Sequence, residues 1–166
     1  DYEYYVLEVS SFQLDNTPTT RFNIATILNI TEDHLDRYGY SMDAYADAKF
    51  NITTNQTEAD HFIYCLDDAI ITNKLKEKNI RANKYSISTG SEHTDSGAYV
   101  SEENQFKIVI NKSKFNMSIQ KLALQGKHNL YNSMAAGVAG RILEMRKEII
   151  RESLADFQNI EHRMEH

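Results

Sequence analysis

With 166 residues, 41% of them hydrophobic and 25% charged, the chain has the size and composition of one globular domain with a proper core. A formal net charge of -6 leaves no basic surplus for general nucleic-acid binding, and no apolar run approaches the roughly 20 residues that span a bilayer. No secretory signal is legible and the single cysteine, Cys65, lies in the apolar run H-F-I-Y-C-L, so a soluble cytoplasmic protein with a buried, unreactive thiol is expected.

The chain opens D-Y-E without a methionine and runs at once into Y-Y-V-L-E-V, so it reads as a piece of something longer. Residues 4–9 are apolar on both faces apart from Glu8, which predicts an interior parallel strand. It ends in Ser10-Ser11-Phe12-Gln13-Leu14, and a turn with the only proline, Pro18, follows. A second buried strand is predicted over residues 24–30 (I-A-T-I-L-N-I), stopping abruptly in the polar cluster T-E-D-H-L-D-R-Y. In open α/β sheets that end of a strand is where ligands bind.

Ser41 then caps a helix with Asp43 in its first turn, and Tyr45, Ala48, Lys49 and Ile52 fall at helical spacing, which puts Lys49 on the inward face. A third strand over 61–66 leads through Asp67-Asp68 into a helix over 69–78, where the acidic pair suits the helix N-terminus. This alternation predicts βαβ units. From Tyr85 the texture changes to short stretches at 85–88, 98–101, 105–110, 115–119 and 121–124. Polar turns such as Thr89-Gly90-Ser91 and Asn111-Lys112-Ser113 separate them, predicting a small antiparallel β subregion over about 85–125. Helical periodicity returns over 128–145, where Ala135, Ala136, Gly137, Ala139 and Gly140 allow close packing. A last helix over 147–158 turns Ile150, Leu154 and Phe157 inward. The expected fold is α/β: a mostly parallel sheet flanked by helices, with a small antiparallel β subsheet.

Several residues could carry chemistry. Glu32, Asp33, His34 and Asp36 are oxygen and imidazole donors suited to a divalent cation, or else a solvated helix-capping turn. Glu8, at the end of a predicted buried strand, must pair, ligate a cation or reach water. Lys49 on an inward face must snorkel, find a carboxylate or lose its proton, and a neutral amine among cations can take up carbon dioxide as a carbamate. Gly126-Lys127-His128-Asn129 and Asn132 open a helix with two amides on one face, placed for local capping or for hydrogen bonds to a heterocycle such as adenine. Arg163, after His162, is either a surface arginine or a phosphate partner. The sequence contains no G-x-x-x-x-G-K-[ST] phosphate loop, no G-x-G-x-x-G, no paired cysteines and no G-x-S-x-G.

The words L-E-V-S-S-F-Q-L, T-I-L-N-I-T-E-D-H-L-D-R-Y, A-Y-A-D-A-K, G-K-H-N-x-x-N and H-R-M-E, in this order and at these separations, resemble the central ATP-binding domain of the Mur ligases. Ser-Ser-Phe-Gln-Leu favours the D-glutamate-adding branch. The resemblance implies a P-loop-NTPase-like domain and an ATP-dependent ligation in peptidoglycan precursor synthesis. In that reaction the terminal carboxylate of UDP-N-acetylmuramoyl-L-alanine is phosphorylated, and the amine of D-glutamate attacks the acyl phosphate.

It also implies roles for individual residues. Glu8 resembles a magnesium ligand near the ATP phosphates, and His34 the ligand of a second Mg²⁺, with Asp33 as supporting acid. Lys49 matches the lysine that becomes carbamylated and helps hold that second metal. Asn129 and Asn132 look like the adenine-side amides, His162 and Arg163 like a pair near the phosphates, and Ser10 and Ser11 like groups facing the muramoyl substrate. By the same resemblance, residues 1–166 form a partial central domain without the phosphate loop, the uridine-nucleotide domain or the D-glutamate domain. The isolated chain is then expected to be inactive and to carry an unpaired strand edge prone to association. Two rival expectations are a non-catalytic nucleotide- or metal-binding module of the same fold and a ligase adding a different amino acid.

Overall fold

The computed structural model describes residues 3–90 and 96–157. The elements in chain order are α1 (Ser11–Asp15), β1 (Ile24–Ile27), α2 (Met42–Phe50), β2 (His61–Cys65), α3 (Ala69–Glu77), β3 (Asn83–Ser88), β4 (Gly97–Val100), β5 (Gln105–Ile110), β6 (Ser113–Ser118), α4 (Lys127–Ile142) and α5 (Lys147–Ala155). The six strands form one sheet whose spatial order is their order in the sequence. β1, β2, β3 and β4 run parallel, and β4, β5 and β6 pair antiparallel. The antiparallel portion is thus joined edge-on to the parallel one, and the stretch at Tyr85 belongs to the parallel part.

Burial follows this division. In β2 the consecutive residues Phe62 and Ile63 are both fully buried, and in β3 residues 85–88 are all buried. Neighbouring strand residues point to opposite faces, so both faces are covered there. In β5 Phe106, Ile108 and Ile110 are buried in strict alternation with partly exposed neighbours, so only one face is covered. Helix α4 packs across β2 to β5. A Cβ on its Gly137 would come within 2.8 Å of Ile108 Cδ1 and 3.1 Å of Phe106 Cζ, so the absent side chain sets how closely helix and sheet approach. Helix α5 closes the far end: Arg151 stacks over Phe115, and Lys147 Nζ donates to the Lys114 carbonyl at 2.7 Å.

Local chemistry explains the boundaries. Ser41 caps α2 by accepting the Ala44 N–H at 3.2 Å, and Asp68 caps α3 by accepting those of Ile70 and Ile71. β5 and β6 are joined by Asn111 and Lys112, both with positive φ, the two-residue turn whose twist suits a hairpin. Gly97 is required where it stands: its φ is +141°, and a Cβ there would lie 1.9 Å from the Ser86 carbonyl oxygen of the neighbouring strand.

Four expectations need correction. Residues 4–10 form no strand, and Tyr4, Tyr5, Val6 and Leu7 are 56–98% exposed. An interior strand needs a ladder partner and cover on both faces, and among the described residues β1 pairs only with β2. β1 itself ends at Ile27 because the Ile30 N–H goes to the Asp68 carboxylate rather than to a ladder. Residues 121–124 are not a strand either: the Ala123 N–H bonds the Leu154 carbonyl at the end of α5, and a short 3₁₀ turn, Ile119–Lys121, precedes them. Phe157 lies beyond the end of α5 and is 50% exposed, whereas Ile150 is buried as expected. Ser91 and Gln158 lie outside the described residues.

Candidate functional site

A pocket of ≈ 320 Å³ opens where β1 ends, and its wall holds Glu8, Ser10 and Ser11 with Asp33, His34, Tyr45 and Lys49. Three segments bring them together: the chain entering α1, the loop after β1, and helix α2. Ser10 is fixed by a capping box in which its Oγ accepts the Gln13 N–H while Gln13 Oε1 accepts from the Ser10 N–H and Oγ. The S-x-x-Q spacing therefore has a local structural purpose that the sequence reading did not assign. Ser11 is buried behind it.

The loop carries His34 at φ 49° and ψ 34°, a left-handed conformation that costs a non-glycine residue about 1 kcal/mol or more. His34 Nε2 lies 3.4 Å from Asp33 Oδ1, and both side chains are more than 60% exposed. Glu8 is exposed as well, not at the end of a buried strand. On α2, Tyr45 and Ala48 are buried and Lys49 is half-buried, so the helical spacing placed Lys49 correctly. Its ammonium sits 4.9 Å above the ring of Tyr45, a partner the sequence reading did not name.

Helix α2 is itself anchored. Lys74 of α3, only 5% exposed, directs Nζ to Asp43 at 2.5 Å, Asp47 at 3.0 Å and Glu77 at 3.2 Å. The carboxylate of Asp43, followed by those of Asp47 and Glu77, holds the lysine well above its usual range despite burial. Asp47 also pairs with Lys78 at 2.7 Å, and that contact, with Lys74, lowers its own carboxyl. The sequence placed Asp43 only in the first turn of the helix that Ser41 caps.

Helix α4 begins at Lys127, just after Gly126, whose φ is +98°. Asn129 is half-buried and its Nδ2 donates to the Gln125 carbonyl at 2.8 Å, a local bond but not a cap, since α4 is preceded by Gly126 with no side-chain cap. Asn132 is exposed, and neither amide lines the pocket. His162 and Arg163 lie outside the described residues. Among the described residues no group of three or more His, Cys, Asp or Glu is gathered closely enough to hold a metal. The pocket chemistry fits Mg²⁺ nonetheless, because that ion keeps several waters and takes one or two carboxylates together with phosphate oxygens. No helix among the described residues is long and apolar enough to cross a membrane.

Residues 1–140 match the model of the Mur ligase middle domain. The chain belongs to the Mur ligase family. Its curated relatives include the "UDP-N-acetylmuramoylalanine--D-glutamate ligase" of Christiangramia forsetii, 47% identical over 164 residues that cover 99% of this chain. The ligase of the same name from Bacteroides fragilis is 49% identical over the same coverage. This Mur ligase chain spans 36% of the length of each. Among solved structures, the pseudomurein peptide ligase type C of Methanothermus fervidus superposes with a TM-score of 0.65 at 21% identity, covering 95% of this chain and 38% of that one. The MurF ligase of Thermotoga maritima in complex with ADP gives 0.59 at 16% identity, covering 92% and 34%. At these identities the structures speak for the Mur ligase fold alone.

Proposed function

We propose that this chain is the central, nucleotide-handling part of a bacterial cytoplasmic ligase that uses ATP to join D-glutamate to UDP-N-acetylmuramoyl-L-alanine. The observation that carries this reading is the single pocket shared by Glu8, Asp33, His34 and Lys49, three acidic or imidazole donors and one lysine drawn from separate segments. The D-glutamate branch rests on what the relatives are called and on the Ser-Ser-Phe-Gln-Leu word.

In this reading the L-alanine carboxylate attacks the γ-phosphorus of ATP, ADP leaves, and the D-glutamate amine displaces phosphate from the acyl phosphate. Glu8 would hold one Mg²⁺, and His34, oriented by Asp33, with a carbamate on Lys49 would hold a second. Bound there, the ions would supply electrostatic stabilisation of the negative charge that develops during phosphoryl transfer. Converting Lys49 from ammonium to carbamate reverses its charge, and the half-buried position over Tyr45 leaves its amine facing the pocket where such a charge is useful. Ser10 and Ser11 face the muramoyl substrate, Asn129 and Asn132 hold the adenine, and His162 with Arg163 completes the phosphate side.

Residues 1–166 contribute part of the central domain, and the uridine-nucleotide and D-glutamate sites belong to other parts of the longer protein. The chain alone turns over no substrate, since it contains no phosphate-loop motif. It self-associates through the edge of β1, which pairs only with β2 among the described residues. The test is phosphate release by the full-length protein given ATP, Mg²⁺ and UDP-N-acetylmuramoyl-L-alanine, with D-glutamate compared against L-lysine, diaminopimelate and L-alanine. Release with D-glutamate alone is expected. Release with another amino acid keeps the mechanism and overturns the branch, and no release with any of them turns the reading into a non-catalytic module.

A further inference from the structure

Two consecutive aspartates leave β2, and each is tied to a different half of the site. The Asp67 carboxylate accepts from Ser88 Oγ at 2.5 Å, from the Thr89 N–H at 2.8 Å and Oγ1 at 3.0 Å, and from Tyr131 OH at 2.6 Å. Tyr131 lies in the opening turns of α4, between Asn129 and Asn132, so this bond spans 64 residues to hold that helix against the ends of β2 and β3. Tyr131 OH is also 3.1 Å from Thr89 Oγ1, closing a three-membered network. Asp68 divides its two oxygens. Oδ1 caps α3 through the Ile70 and Ile71 N–H groups, and Oδ2 accepts the Ile30 N–H at 2.9 Å, the last residue before the T-E-D-H loop.

We infer that Asp67 and Asp68 are positioning residues that set the two halves of the site relative to each other, Asp67 through the start of α4 and Asp68 through the entry to the loop bearing Asp33 and His34. The inference rests on the proposed function for what the two halves do, and on the hydrogen bonds alone for the tethers. Four donors on one carboxylate and an oxygen reserved for a backbone amide 38 residues away exceed what capping one helix needs. Burial raises the Asp67 carboxyl, but the bonds from Ser88, Tyr131 and Thr89 outweigh it and hold the group below its ordinary value, so it stays an acceptor.

The experiment uses the full-length protein with Tyr131→Phe, Asp67→Asn and Asp68→Asn. Asparagine retains one carbonyl oxygen and is itself a good helix cap, so Asp68→Asn breaks the loop tether while keeping α3 capped. The Michaelis constant for ATP in Tyr131→Phe should rise about tenfold with turnover little changed, the scale of one hydrogen bond to a charged group. Turnover in Asp68→Asn should fall about tenfold, again one such bond, with the ATP constant little changed. Asp67→Asn combined with Tyr131→Phe should be no worse than Asp67→Asn alone, because the Tyr131 bond is one of those the asparagine already disrupts.

Amide hydrogen exchange, read without substrate, is the second measurement. Ile30 should exchange faster in Asp68→Asn alone and Thr89 faster in Asp67→Asn alone. Turnover and ATP constant moving together in both variants, neither moving, or unchanged exchange at Ile30 and Thr89 would overturn the inference. A wild-type protein that releases no phosphate with any amino acid sinks the functional reading instead, and the exchange data still decide the tethers.

Discussion

Asp60, at the start of β2, and Asp33, beyond the end of β1, are the same side chain at opposite ends of the parallel strands. Asp60 has no exposed side-chain surface and takes both Nε and Nη2 of Arg21, at 2.8 and 2.9 Å, together with the N–H and Oγ1 of Thr57. Beside it Gln56, 1% exposed, donates Nε2 to the carbonyls of Phe22 and His61, and Asn83 Nδ2 reaches those of Glu58 and Asp60. Asp33 is 63% exposed beside a histidine in a left-handed conformation, in the wall of a pocket. The starting end spends its polar groups on one another and holds the strands in register. The finishing end leaves its donors solvated in a pocket wall, with His34 in a left-handed conformation, and the proposed function rests on that end.

This contrast can be broken or sharpened by substitution. The largest expected effect is at the finishing end: Lys49→Ala in the full-length protein should cut turnover about a thousandfold, the loss typical of one electrostatic group acting on a transition state. The melting temperature should scarcely move, and bicarbonate or a short-chain carboxylate should restore part of the rate. Full activity in Lys49→Ala would remove that residue from the mechanism. At the starting end, Asp60→Ala should cost about 2 kcal/mol in denaturant unfolding, the scale of lost hydrogen bonds to a buried carboxylate, with half-exposed Arg21 free to reach water. Rate per folded molecule should be unchanged, and a stability loss within error would mean that Arg21 and Thr57 find other partners.

The same carboxyl sets an acid limit. Arg21, with help from Thr57, outweighs burial and lowers the Asp60 carboxyl from 3.8 to about 2. Since the folded group ionises at lower pH than the unfolded one, its contribution of about 2 kcal/mol is present in full above about pH 4 and fades as pH falls through 2. Unfolding free energy measured against pH in Asp60→Asn should lack that step. The smallest expected effect is on stability: His34→Gly should raise the unfolding free energy by about 1 kcal/mol by relieving the left-handed strain. A neutral or destabilising result would show that the loop relaxes around His34 already.

The two ends were also unequally legible in the sequence. Ser41 as a cap, Lys49 on the inward face, β5 over residues 105–110 and the close approach at Gly137 follow from periodicity and capping, which are local rules. The Arg21–Asp60 and Lys74–Asp43 pairs escaped because nothing local distinguishes them from surface charges. Only the sheet brings residues 39 positions apart together at 2.8 Å. Residues 4–9 were misread for the opposite reason, since alternation and apolarity describe what a strand would bury and not whether a neighbour is there to bury it. Of the site, the T-E-D-H loop and Lys49 could be picked out by residue type, whereas the ties through Asp67 and Asp68 could not, because an acidic pair before a helix already has a sufficient local explanation.

The strand order, in which each strand lies beside the one made just before it, bears on how the chain is born. On a ribosome every strand from β2 onward emerges with its partner already synthesised, so the sheet can extend in the direction of translation without waiting for distant sequence. Its cover comes last: Phe106 and Ile108 face α4, which begins only at Lys127. A nascent chain stalled between Ser118 and Lys127 therefore presents a finished sheet with an uncovered apolar face, and that interval is when a chaperone would have most to hold.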